Sequence, residues 1–257
     1  MNIIITIIYK VYLMKKLDFN IEIDDNENLE DTSKFSKSCI ETISQIDFYK
    51  KYQVVDMGLP SKTLWSKYNV GVDILELDNN SDWFGLLYAW GESEHKLAYL
   101  IENYEYFKIE RIDESALRTV KTKYSKNDGL THLELQDDVA YKSNNFSTIP
   151  TKDQYKELFN YVDEVWVKDY NEINGLNGIL LTSRINKNTL FFPATKYISG
   201  RYICKYWTAD LDPNNTNIAY CFECSEYTNN GHGSKMLETA DRWNGYAIRS
   251  IISKFNI

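Results

Sequence analysis

The run Ile149–Gln154 (IPTKDQ) opens the stretch that decides the fold, which continues to Tyr197. Thr151 is a favourable N-cap residue, and the Gln154 side chain can bond back to it and complete a capping box. Apolar residues then recur at helical spacing: Tyr155, Leu158, Phe159 and Val162. The stretch therefore predicts an amphipathic helix of about three turns that begins after Thr151.

The second half of the same stretch changes to the pattern of β-strands. Asn174-Gly175 and Asn177-Gly178 are turn signals. Beyond them, the runs Ile179–Ile185 and Thr189–Ala194 are rich in apolar and β-branched residues and are joined through Asn186–Asn188. A helix beside a β-hairpin is typical of a mixed α+β domain, which is the fold class that we expect.

The composition is that of a soluble, globular protein with an excess of aromatic residues. Of 257 residues, 43% are hydrophobic and 26% are charged, and the chain contains 20 Tyr and 6 Trp. Tyr and Trp provide rigid contact area with a polar group, so their excess favours a recognition surface, although aromatic residues are also common in strands. The net charge of -8 argues against nucleic acid as the principal partner.

The first residues do not have the pattern of a membrane anchor. Asn2–Tyr9 is apolar, but Lys10 ends the run well short of a bilayer span, and no basic region precedes it. Met14 is an alternative start to Met1, because an ordinary soluble sequence follows it. We therefore expect no transmembrane segment and no signal peptide, with the protein cytoplasmic before assembly.

Beyond Met14, the sequence predicts an arm and a main domain. Leu17–Ile23 alternates apolar and polar residues, as in an edge strand or an attachment arm. Asp24–Ser36 is acidic and polar, which is typical of a solvated linker, and a short helix is predicted over Cys39–Tyr49. We expect the arm and linker over residues 1–51 and the main domain over residues 52–257.

Several short motifs of the main domain occur in a characteristic order. They are Val55–Trp65, Asn69–Gly71, Tyr88–Glu92, Glu102–Tyr104, Leu133–Ala140, Ile149–Thr151, Phe191–Ala194, Tyr206–Ala209, Ile218–Tyr220 and Gly245–Arg249. In these motifs and their order, the chain from about Gln53 to Ile252 resembles the Fibrobacter succinogenes major paralogous domain family.

The resemblance implies a C-type-lectin-like fold, related to that of the formylglycine-generating enzyme and sulfatase-modifying group. It also implies a ligand-binding module on a cell surface or a virion, in a family that is common in gut Bacteroidetes and their phages and mostly has no assigned activity. This sequence departs from the family in two places. Members are typically secreted or lipid-anchored, and they commonly carry a serine-rich segment where this chain has Thr208-Ala209-Asp210.

Two polar segments in the C-terminal third indicate a binding surface. Trp207–Asn217 is predicted to be a loop and Tyr227–Ser234 a second, Gly-rich one, with strands at Ile218–Cys224 and Tyr246–Ile252. If both loops open on one side, their aromatic and amide side chains suit a glycan or a protein ligand. The candidate ligand-binding residues are Tyr202, Tyr206, Trp207, Asp210, Asp212, Asn214, Tyr227, Asn229, His232 and Trp243. Alternatively, Trp207 and Trp243 are core residues.

The cysteines invite comparison with a zinc site. Cys221 and Cys224 have the spacing of a zinc knuckle, with Cys204 and His232 as further ligands. However, residues three apart in a strand point to opposite faces. This geometry argues against zinc, and also against the positioned thiol pair that formylglycine-type oxidase chemistry needs. We expect buried cysteines that behave as small apolar residues.

Calcium is the other cation that the sequence suggests. Asp210, Asp212 and Asn214 alternate as oxygen ligands do, and Asp212-Pro213-Asn214 invites comparison with the sugar-binding loops of lectins. The same residues are also ordinary turn formers. The prediction is therefore no cofactor, with calcium as the alternative.

Signatures of catalysis are lacking in the sequence. The three His lie in separate polar segments, and neither a G-x-S-x-G elbow nor an H-E-x-x-H helix occurs. The favoured hypothesis is a non-enzymatic module, on a phage particle or bacterial surface, that recognises a glycan or a surface protein. The alternative is a structural virion or assembly protein that docks onto other virion proteins through Met14–Tyr52, and a formylglycine-type oxidase is a minor alternative. A homo-oligomer is compatible with each.

Overall fold

The computed structural model describes residues 53–113, 116–198, 201–226 and 234–253. Its helices are α1 (Val139–Asn144) and α2 (Lys152–Asn160). Its strands are β1 (Val54–Asp56), β2 (Leu64–Ser66), β3 (Phe107–Arg111), β4 (Leu117–Lys121), β5 (Val162–Val167), β6 (Gly178–Ser183), β7 (Thr189–Pro193), β8 (Lys196–Ile198), β9 (Arg201–Leu211), β10 (Ile218–Ser225), β11 (Ser234–Asp241) and β12 (Ile251–Ile252). The predicted arm, linker and helix before residue 52 lie outside the described residues.

The described part of the chain contains four antiparallel sheets. The central sheet has the order β11-β10-β9-β8, and a second sheet has the order β5-β6-β7. Two smaller sheets have the orders β1-β2-β12 and β3-β4. The prediction of a mixed α+β fold is therefore confirmed. Neither helix among the described residues is long and apolar enough to cross a membrane.

The predicted helix is confirmed at its start and is shorter than expected at its end. Thr151 Oγ1 accepts the backbone N–H of Gln154 at 3.3 Å, and the Thr151 N–H donates to Gln154 Oε1 at 2.8 Å, which completes the capping box. The helix ends at Asn160, and Val162 belongs to β5, where it pairs with Ser183. A run containing the β-branched residues Val162, Val165 and Val167 favours a strand over a third helical turn.

The C-terminal strands differ from the prediction in two places. Trp207–Leu211, predicted to be part of a loop, is the second half of β9. Its backbone bonds to segments far away in sequence: the N–H of Ala209 donates to Pro150 O, and that of Leu211 to Thr131 O. Of the predicted strand Tyr246–Ile252, only Ile251–Ile252 is a strand, while Tyr246 and Ala247 form isolated bridges. Long-range pairing of this kind leaves no periodic pattern in the local sequence.

The central sheet lies between two hydrophobic cores. The first core contacts one face of β9 and β10 through Cys204, Tyr206, Phe222 and Cys224. The second contacts the other face through Trp207, Ala209, Leu211, Ala219 and Cys221. Successive side chains of a strand point to opposite faces, so this division follows from the alternation along the strands. Strand β9 is consequently buried on both sides.

Two buried arginines join the C-terminal segment to the rest of the domain. Arg249 donates to the carbonyls of Ser66, Lys67 and Phe191, which brings β2, the turn after it and β7 together. Arg242 donates through Nη1 to Tyr124 O at 3.0 Å and Thr216 O at 2.9 Å. Both guanidinium groups lie against aromatic rings. Carbonyl dipoles and ring faces thus replace the carboxylate that a buried cation usually requires.

Candidate functional site

Two aromatic residues of the predicted site, Tyr206 and Trp207, are interior residues. Both are 0% exposed. The Tyr206 hydroxyl donates to Pro193 O at 2.8 Å, and Trp207 Nε1 donates to Tyr88 O at 2.8 Å. Neither ring has a face open to a ligand, and the alternative that Trp207 is a core residue describes its position.

Asp210 stabilises the fold locally instead of standing in a loop. Its carboxylate is nearly buried, and Oδ2 accepts the backbone N–H of Lys152 at 2.6 Å. Oδ1 lies 2.9 Å from His132 Nε2. Lys152 is the first residue of α2, so the carboxylate lies at the positive end of the helix dipole. Both oxygens are therefore engaged by the protein itself.

Asp212 forms a turn at the end of β9. Its Oδ1 accepts the backbone N–H groups of Asn214 at 2.8 Å and Asn215 at 3.2 Å, which is an Asx-turn. Of the two interpretations of Asp212-Pro213-Asn214, the structure shows the turn. Among the described residues, no group of three or more His, Cys, Asp or Glu side chains is arranged to hold a metal ion.

The described strand ends that border the two predicted loops lie at opposite ends of the central sheet. Strand β9 ends at Leu211 and β10 begins at Ile218, so residues 212–217 connect them at one end. Strand β10 ends at Ser225, at the other end of the sheet, and β11 starts there at Ser234. At about 3.3 Å per residue, the two ends of β10 are roughly 23 Å apart. Residues 227–233 of the second loop lie outside the described residues, and the described strand ends on either side of them are at the end of the sheet opposite to residues 212–217.

Tyr202 lies at the end of the central sheet where β10 ends at Ser225. It is partly buried, and its carbonyl accepts the N–H of Glu226 at 3.4 Å. Three further predicted site residues, Tyr227, Asn229 and His232, lie outside the described residues. Tyr202 and the first loop consequently belong to different surfaces.

Trp243 lies at the same end of the sheet as the first loop. Ile218 pairs with Asp241, and the N–H of Arg242 donates to Asn217 O at 3.1 Å. The Trp243 side chain is partly buried, and its ring lies 5.8 Å from that of Phe107. We call the surface formed by Asp212, Asn214, Asn215, Asn217 and Trp243 the loop-end face. Asn214, Asn215 and Asn217 are exposed there.

The sequence did not predict the contact between His132 and Asp210. The two residues are 78 positions apart and meet because His132 and Asp210 form an isolated antiparallel bridge. The His132 side chain is 60% exposed, so the pair lies at the surface close to the loop-end face. Neither residue lies in a local motif that could have indicated the other.

The three described cysteines occupy two separate cores. Cys204 and Cys224 are direct partners across β9 and β10 and lie in the first core, whereas Cys221 lies in the second. The expected opposite orientation of Cys221 and Cys224 is thus confirmed. All three are free thiols. Burial raises the pKa of Cys221 to about 12, which keeps the thiol protonated and unreactive at neutral pH.

Comparison with protein-family models, with curated proteins and with solved structures gives no match for this chain. What can be stated of its class is a mixed α+β domain with mostly antiparallel sheets. Its function is therefore argued from the arrangement of its own residues.

Proposed function

We propose that this protein is a non-enzymatic recognition module with a C-type-lectin-like fold, displayed on a phage particle or a bacterial surface. It binds a glycan or a surface protein through the loop-end face. The observation that carries the proposal is the position of Trp243, a partly buried residue next to Arg242, whose N–H bonds to Asn217 O in the loop of exposed Asn residues. An indole face and amide groups together suit stacking against a sugar ring with hydrogen bonds to its hydroxyls.

The positions of the motif residues support a scaffold role for the rest of the domain. Trp65, Trp90 and Trp207 are at most 1% exposed, and Arg249 is 1% exposed. The motifs on which the family resemblance depends therefore specify the interior. Recognition is left to the surface loops, as in other scaffolds that position binding residues on their connecting segments.

Binding of the full-length chain to a glycan array and to whole bacterial cells tests the proposal. The variant Trp243→Ala with Asn217→Ala should weaken binding roughly tenfold or more, since truncating an aromatic anchor commonly costs over 1 kcal/mol. Trp166→Ala is the matched control, because Trp166 is also a partly buried indole but lies on β5. Binding should not require calcium, since Asp210 and Asp212 already accept hydrogen bonds from the protein.

The assay also separates recognition from a purely structural role. Equal binding by the Trp243 and Trp166 variants would contradict the loop-end face as the site. Absence of binding by the wild-type chain, together with loss of assembly into particles on deletion of residues 1–51, would favour the structural virion protein.

A further inference from the structure

A second polar cluster lies on the central sheet, away from the loop-end face. Lys196 on β8 and Lys205 on β9 approach the same ring, with their Nζ atoms 4.4 Å and 5.3 Å from the centroid of Tyr246. Lys205 also forms an ion pair of 2.6 Å with Glu223, its direct partner on β10. Glu223 is five positions along β10 from Ile218, roughly 17 Å from the loop end.

Within the described part of the chain, the cluster contains two ammonium groups but only one nearby carboxylate, that of Glu223. Glu223 balances Lys205, whose side chain is only 18% exposed. Lys196 is partly buried, and no described carboxylate lies within ion-pairing distance of its ammonium group. Behind the lysines, Cys221 is buried and protonated, so it brings no negative charge. Glu238, opposite Cys221 on β11, is exposed to solvent.

The cluster therefore carries an excess of positive charge, although the net charge of the chain is -8. Burial, and then the charge of Lys205, lower the pKa of Lys196. The Tyr246 ring stabilises a cation by only about 0.5–2 kcal/mol. An anion bound beside both ammonium groups would neutralise the excess positive charge of the cluster.

We propose that Lys196, Lys205 and Tyr246 form a binding site, here called the lysine site, for one oxyanionic group of a ligand, either a carboxylate or a sulfate. The two ammonium groups supply the charge and the hydrogen-bond donors. The lysine site is separate from the loop-end face, so it does not depend on the function proposed above.

NMR titration of the 15N-labelled full-length chain at low salt tests the lysine site. The probes are sodium glucuronate, which carries a carboxylate, sodium sulfate, and glucose as the neutral counterpart of glucuronate. Glucuronate and sulfate should shift the backbone amide signals of Glu223 and Ala247, which both lie beside Lys205. Glucose should leave these signals in place. Equal responses to glucose and glucuronate, or no response to either anion, would overturn the proposal without reference to any variant.

Variants of the chain then test whether anion binding depends on the positive charge of Lys196. Lys196→Met should weaken glucuronate binding at least roughly tenfold, whereas Lys196→Arg should retain it, because the charge is kept. Lys152→Met is the matched control, since Lys152 Nζ also lies 4.4 Å from a tyrosine ring, that of Tyr220, near the opposite end of the sheet. Equal losses in Lys152→Met and Lys196→Met would indicate general charge screening and contradict a specific site.

Discussion

The two cores on either side of the central sheet differ in composition and in how the backbone around them is paired: the first is mainly aliphatic, and the second is rich in Tyr and Trp. The first packs against α2 and the sheet β5-β6-β7, whose N–H and C=O groups pair within regular structure. The second is covered largely by irregular chain, and side chains donate hydrogen bonds to the backbone carbonyls of this chain. The donors are Trp90 to Thr208 O, Trp207 to Tyr88 O, Tyr104 to Trp90 O, Tyr106 to Gly91 O, and Arg242 to Tyr124 O and Thr216 O.

The comparison shows that irregular chain can be buried when side chains supply the missing donors. A buried carbonyl without a partner is costly, and helices and strands avoid this cost by their own pairing. In the second core, Trp and Tyr combine ring packing with hydrogen bonds from their polar groups. The abundance of these residues is therefore explained at least in part by the interior, without a recognition surface.

Replacing Arg242 should produce the largest effect in this comparison. Arg242→Met removes the donor of two buried carbonyls, so we expect a loss of roughly 3–5 kcal/mol in the free energy of unfolding, measured by urea denaturation. Arg118→Met is the control, because the Arg118 side chain is 62% exposed and bonds to Glu110 at the surface. The control should lose less than about 1 kcal/mol. A small effect in Arg242→Met would mean that the rings alone hold the second core.

A cavity in the first core should lower the free energy of unfolding by somewhat less. Leu158 on α2 is 0% exposed, and Leu158→Ala should cost roughly 3 kcal/mol in the same measurement, since it removes packing but no hydrogen bond. Leu135→Ala is the matched control, because Leu135 is 51% exposed. A greater loss in Leu158→Ala than in Arg242→Met would reverse the proposed ranking of the two cores.

The smallest expected effect is a change in acid stability at the second core. Burial raises the pKa of Asp137, but hydrogen bonds from Lys123, Tyr124 and Tyr106 outweigh it and hold the pKa below its usual value. A lowered pKa means that the stabilisation is present at neutral pH and is lost as the pH falls below about 4. Asp137→Asn should therefore flatten the decline of stability between about pH 5 and pH 2. An unchanged acid profile would contradict the role of this carboxylate.

The first core was largely predictable from the sequence, because its signals are local. The capping box at Thr151 and Gln154 lies within four residues, and strands β6 and β7 follow the predicted runs closely. Strands β1 and β2 are likewise close in sequence and pair with each other. In each case the neighbours in sequence are also neighbours in space.

The second core and the site were predictable only in part. The hairpin β3-β4, strands β5 and β8, and helix α1 were not predicted. Trp207 and Asp210 looked like loop residues because their partners, Tyr88 and His132, are distant in the chain. Of the ten candidate residues, Asp212, Asn214 and Trp243 share one surface. The sequence could not show that the strand ends bordering the two loops lie at opposite ends of the sheet.

The double burial of β9 bears on how much sequence change the domain tolerates. Strand β9 is covered on both faces and pairs with β10 on one edge. On the other edge it pairs with β8 at its start and then bonds to the carbonyls of Ala247, Pro150 and Thr131. Its amide protons should therefore be among the last to exchange with solvent. Asn214, Asn215 and Asn217 lie beyond the end of this strand and contribute little to either core. Substitutions there should leave the stable centre intact, so the sequence of this loop can change while both cores keep their packing.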